Sequence, residues 1–154
     1  MAILALTVSS CQKGDTGPAG SAGTNGTNGT NGVANITSAI YPVTPGSWSN
    51  PSTDVYTVSY TNSAISDANH DGIEVFISTN GSIWFGLPST NLISSGDNVE
   101  FNYSNGQIEF LYIFTSAPTS TLDFKVVVIP PAIMKQHPNT NWSDYNNVIK
   151  YCNQ

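Results

Sequence analysis

The chain has 154 residues, ten of them acidic, with four lysines, no arginine and a formal net charge of -6. Binding to nucleic acid or to an anionic membrane surface needs clustered Lys or Arg, so this charge balance argues against both partners. Polarity comes instead from Ser, Thr and Asn between apolar residues, a composition that suits a secreted β protein.

The chain opens with Met1-Ala-Ile-Leu-Ala-Leu-Thr-Val-Ser-Ser-Cys11, a short apolar run closed by small residues. Such a run is too short to span a bilayer and reads as a leader. Val8-Ser9-Ser10-Cys11 resembles a bacterial lipobox, in which the cysteine thiol takes a diacylglycerol and becomes the first mature residue. Residues 1–11 are therefore expected to be a signal segment with Cys11 lipidated. The basic residues usual at the start of such a leader are missing, and an ordinary secretory leader is the competing reading. A non-acidic Gln12 is compatible with sorting to the outer membrane.

Residues 12–34 form a spacer. Glycine returns at every third position as Gly14, Gly17, Gly20, Gly23, Gly26, Gly29 and Gly32. Collagen needs this spacing, because only a hydrogen fits at the axis of three wound strands. Pro18 is the only proline in the repeat, so the strands are not held in polyproline II by imino acids. Three wound copies give a rod of roughly 60 Å, whereas an unwound chain gives a flexible linker spanning about 25 Å. The wound form implies a homotrimer.

Residues 35–154 read as one all-β head. Ile36 to Val43 is a first strand, and Trp48 follows in a polar loop. Asp54 to Tyr60 is a second strand rich in β-formers. Asn80-Gly81 between Ile73–Ser78 and Ser82–Leu87, and Asn105-Gly106 between Val99–Tyr103 and Gln107–Phe114, are hairpin signals. Leu122 to Ile129 is a strand whose Val126-Val127-Val128-Ile129 run reads as buried on both faces, ended by Pro130-Pro131. Ser143 is placed to cap a short helix reaching Tyr151, with Tyr145, Val148, Ile149 and Cys152 facing the body and Trp142 as its staple. The expected fold is an antiparallel β-sandwich, or a barrel-like relative, with a short C-terminal helix.

Three features could carry chemistry. Asp67, Asn69, Asp71 and Gly72 copy the start of a calcium loop, with Glu74 as a substitute for the missing late glutamate; the alternative is a polar turn feeding a strand. Trp48 with Trp84 could stack on a sugar, although strand aromatics are usually core residues. The histidines, His70 and His137, lie outside any nucleophile motif, and a small hydrolase would need paired carboxylates whose separation the sequence does not give. Four Asn-x-Ser/Thr sequons, at Asn35, Asn80, Asn102 and Asn141, are expected by chance in a chain this rich in those residues. No cofactor is expected, calcium aside.

The lipobox-like Cys11, Gly-Asp-Thr-Gly-Pro-Ala-Gly at Gly14–Gly20, Asp71-Gly72-Ile73-Glu74-Val75 and Phe124-Lys125-Val126-Val127-Val128-Ile129-Pro130 together resemble a group of Bacteroidota lipoproteins with a collagen-like repeat. The resemblance implies an envelope location, at the outer membrane or cell surface, and a β head, but no catalytic residues. The sequence thus predicts a lipid-anchored, non-enzymatic protein in a structural or adhesive role toward matrix or glycan. A surface carbohydrate-binding module is the alternative, and a small hydrolase the third reading.

Overall fold

A computed structural model describes residues 35–152. The expectations for Cys11 and for the glycine repeat lie outside the described residues.

The described chain runs β1 (Thr37–Val43), β2 (Ser49–Ser52), β3 (Val55–Thr61), β4 (Gly72–Ser78), β5 (Phe85–Gly86), β6 (Ser89–Thr90), β7 (Asn98–Ser104), β8 (Gln107–Ile113), β9 (Leu122–Ile129), α1 (Pro131–Gln136) and α2 (Tyr145–Cys152). The strands form two antiparallel sheets, a four-stranded one in the order β1-β9-β4-β5 and a five-stranded one in the order β2-β3-β8-β7-β6. Their inner faces share one core. Val75, Ile77, Phe124 and Val126 from the first sheet meet Val99, Ile108, Phe110 and Tyr112 from the second. Phe110 and Phe124 stack across the gap with ring centroids 4.1 Å apart.

Strand alternation explains which side chains reach that core. In β8 the residues Ile108, Phe110 and Tyr112 are buried while Gln107, Glu109 and Leu111 are not, a period of two with one face in water. In β9 the last four residues, Val126 to Ile129, are all buried. The second face of that run belongs to another cluster, in which Val127, Ile129 and Phe76 pack under Val148 of α2, with Ile133 and Met134 of α1 against them. Two short helices thus form a third layer over the outer face of the first sheet.

Several local expectations are corrected. Ser49–Ser52 pairs with β3 as an edge strand, where a loop was expected after Trp48; the two registers, Ser49↔Thr57 and Ser52↔Val55, are separated by an irregularity at Asn50-Pro51. The Asn80-Gly81 hairpin is looser than expected. Only Phe85 and Gly86 pair with β4, because Asn80 Oδ1 accepts the amides of Ser82 and Ile83 and closes the chain into a side-chain-capped loop. The Asn105-Gly106 hairpin does form, with Ser104 opposite Gln107. There Gly106 takes φ +76°, and the turn is tied to the preceding segment by Asn62 N–H to Gly106 O and Gly106 N–H to Ile65 O.

Pro130-Pro131 ends β9 as expected but also starts α1. Pro131 occupies the first turn, where its missing N–H has no helical partner to lose. At α2 the cap is Asp144, not Ser143: its Oδ1 accepts Asn146 N–H at 2.9 Å. α1 fits closely over Gly72, where an added Cβ would lie 2.8 Å from Met134 Sδ and displace that side chain.

Candidate functional site

The turn before β4 is built by its acidic residues for their own backbone. Asp71 Oδ2 accepts the amides of Ser66 and Asp67 at 3.2 and 3.0 Å, and Asp67 Oδ1 accepts Asn69 N–H at 3.2 Å. Asp67 Oδ2 also lies 2.7 Å from His70 Nδ1, an exposed pair of little energetic weight. Oxygens used this way close an Asx-type turn rather than face a common cation. Glu74 does not join them. It lies on the outer face of β4, where Ser143 Oγ donates to its Oε1 at 3.2 Å. The calcium arrangement of Asp67, Asn69, Asp71 and Glu74 is therefore not brought together. Among the described residues, no three His, Cys, Asp or Glu side chains gather as a metal site.

The two tryptophans are also separated. Trp48 packs against the shared core, edge-on to Phe124 and tilted against Tyr112 at 6.2 Å, and its buried Nε1 has no hydrogen-bond partner among the described residues. Trp84 packs on the opposite side of the first sheet, stacked on Tyr145 with centroids 5.8 Å apart. They do not form one sugar-stacking plane. Trp84 instead helps to enclose Lys125, whose Nζ lies 4.5 Å from its ring, 4.8 Å from the Tyr145 ring and 2.6 Å from Tyr145 Oη. That clamp pins α2 to β9 through cation–π contact and a charge-assisted hydrogen bond.

Burial sets the shifted protonation equilibria around this layer. The Glu74 carboxyl is raised by desolvation, against a lowering by the Ser143 hydroxyl. The Cys152 thiol is raised by burial, partly offset by Lys125 and Ser38. A thiol held neutral in the last turn of α2 behaves as a small apolar side chain, as expected for Cys152. His137, Trp142 and Tyr151 pack together with centroids 4.8 to 6.4 Å apart. Trp142 thus joins the helical layer.

Asp97 was not singled out from the sequence, yet it is 1% exposed and organises the loop between β6 and β7. Its carboxylate accepts the amides of Leu92, Ile93 and Ser94 at 2.9, 2.9 and 2.7 Å. The Ser94-Ser95-Gly96-Asp97 run carried the turn signal.

A concave surface lies on the outer face of the second sheet. It is an open depression of about 250 Å³ lined by Ser59, Asn102, Ser104, Gln107 and Glu109, with Tyr103 and Ile108. Register explains it, because Ser59, Glu109 and Asn102 stand side by side on β3, β8 and β7. Ser59 Oγ and Asn102 Nδ2 reach the two Glu109 oxygens only at 3.4 Å, which leaves the carboxylate weakly engaged. Amides, hydroxyls and one acceptor side by side can exchange hydrogen bonds with a polyhydroxy ligand. One carboxylate in this surface does not make the acid pair that glycoside hydrolysis uses. No signal short of the strand register could have assembled these residues. No protein-family model, curated protein or solved structure matches this chain.

Proposed function

We propose that this chain is a non-enzymatic envelope protein displaying an interaction head. Cys11 carries the lipid, residues 12–34 hold the head away from the membrane as a collagen-like stalk of three copies, and the head makes structural or adhesive contacts with matrix or glycan. The observation that carries this reading is the order of the chain: an apolar leader closed by Cys11, glycine at every third position to Gly32, then a two-sheet head. The resemblance to collagen-repeat lipoproteins supports the same order, as does the sandwich-like packing of the head. Display of three heads on one stalk converts weak single contacts into avid ones without any new contact.

The anchor is tested by feeding a clickable fatty acid to a bacterial host that expresses the full chain. Label on the wild type and none on Cys11→Ser is the expected result, and equal label on both overturns the anchor. The adhesive role is tested by retention of coated beads on matrix-protein and glycan surfaces, which should exceed that of uncoated beads.

A carbohydrate-binding module is a second reading, favoured by the polar depression around Asn102 and Glu109. It does not use Trp48 or Trp84. Saturable binding to a glycan array, lost in Asn102→Ala and Glu109→Gln, is what this reading expects; binding unchanged in both variants removes the depression from consideration.

A further inference from the structure

We infer that β1 is the strand through which copies of the head meet, with the exposed Ile40 side chains of three heads packed around the three-fold axis. This rests on the trimeric reading of the glycine repeat and names the surface it uses.

The edges of the two sheets are unequal. β5 and β6 are two residues long, and β2 carries Pro51 in its middle. Short strands and prolines are how natural sheets blunt their edges. β1 has seven residues and, among the described residues, pairs with β9 on one side only, with Pro42 next to its end. Thr37 to Tyr41 are left as an open edge. Within that stretch, where a protected edge would place a lysine, stands Ile40 with 54% of its surface exposed.

Connectivity says what covers it. Four residues separate Gly32, the last glycine of the repeat, from Thr37. That tether reaches at most about 17 Å, whereas a head of this length is about 35 Å across. Three heads leaving one wound stalk must therefore crowd together, each with β1 as the first element behind the tether. A cyclic trimer brings the same residue of each copy to its two mates when that residue lies at the axis. Lys125, opposite Ile40 in the β1–β9 register, has its ammonium enclosed by Trp84 and Tyr145. Two other exposed apolar residues, Ile83 just before β5 and Phe85 in it, stand at the opposite edge, with β9 and β4 in between.

The test is the solution mass of the full chain by light scattering over a dilution series, with far-UV circular dichroism as a check on folding. The wild type is expected to be a trimer. Ile40→Glu is expected to be a folded monomer, and Ile83→Glu to remain a trimer. Ile40→Thr keeps β-branching, and so the strand, even if the charged variant misfolds; it should raise the trimer dissociation constant about 100-fold, from three half-buried isoleucines lost together. A trimer undiminished in the Ile40→Thr variant overturns the β1 contact but leaves the trimeric stalk standing. Dissociation by Ile83→Glu as well overturns it too. A wild-type monomer at high concentration removes the trimeric reading, and the contact with it.

Discussion

The sheet β1-β9-β4-β5 is covered by its partner sheet on one face and, over β4 and β9, by α1 and α2 on the other, whereas among the described residues β2-β3-β8-β7-β6 leaves its outer face to water. The strands at their centres differ accordingly. β9 ends in four consecutive buried apolar residues, while β8 alternates Ile, Phe and Tyr inward with Gln, Glu and Leu outward. A sheet sealed on two sides carries stability in both layers. A sheet open on one side can spend that face on recognition, because substitutions there leave the core intact. The polar depression around Asn102 and Glu109 thus lies on the open sheet, away from the helical layer.

Substitutions in the two sheets separate these roles. Phe124→Ala removes the ring stacked on Phe110 between the sheets and should cost about 3–5 kcal/mol in denaturant unfolding. Val148→Ala, in the only fully buried position of α2, should cost about 2 kcal/mol if the helical layer is part of the cooperative unit. A loss near zero would show that the helices fray independently of the sheets. Tyr145→Phe removes the hydroxyl from Lys125 Nζ but keeps the ring, so a loss of about 1 kcal/mol is expected. On the open face, Asn102→Ala and Glu109→Gln should each change stability by less than about 0.5 kcal/mol. A larger loss there would mean that the depression is structural.

The smallest expected effect is a pH dependence from Glu74. Burial raises its folded carboxyl pKa above the ordinary glutamate range. The native state then holds a proton where the unfolded chain has released it, so stability rises as pH falls from the folded value to the ordinary one. Unfolding midpoints measured across that window should show the rise in the wild type and a flatter profile in Glu74→Gln.

Legibility in the sequence followed the range of the interaction involved. Asn105-Gly106 marked its hairpin because two flanking strands and a turn glycine are local facts. Asn80-Gly81 carried the same signal, but the Asn80 side chain captured the amides of Ser82 and Ile83 and shortened the pairing. Ser143 read as the cap of α2, but its hydroxyl turns to Glu74 on another element, and Asp144 takes the helix amide instead. Among the candidate ligands, Asp67 and Asp71 did share a turn, whereas strand parity put Glu74 on the far face of β4.

The local part of this protein was legible in the chain alone: glycine every third residue, the turn at Asn105-Gly106 and the unbroken apolar run of β9. These are properties of short windows, and they specify which faces must be buried. Which partner buries them was decided only by the tertiary structure. It placed α1 and α2 over Val127 and Ile129, turned Trp48 into the core, enclosed Lys125 between two rings, and set Ser59, Asn102 and Glu109 side by side. Each of these depends on register between residues far apart in the chain, where the free energy of packing a surface, and not the preference of any one segment, selects the neighbour.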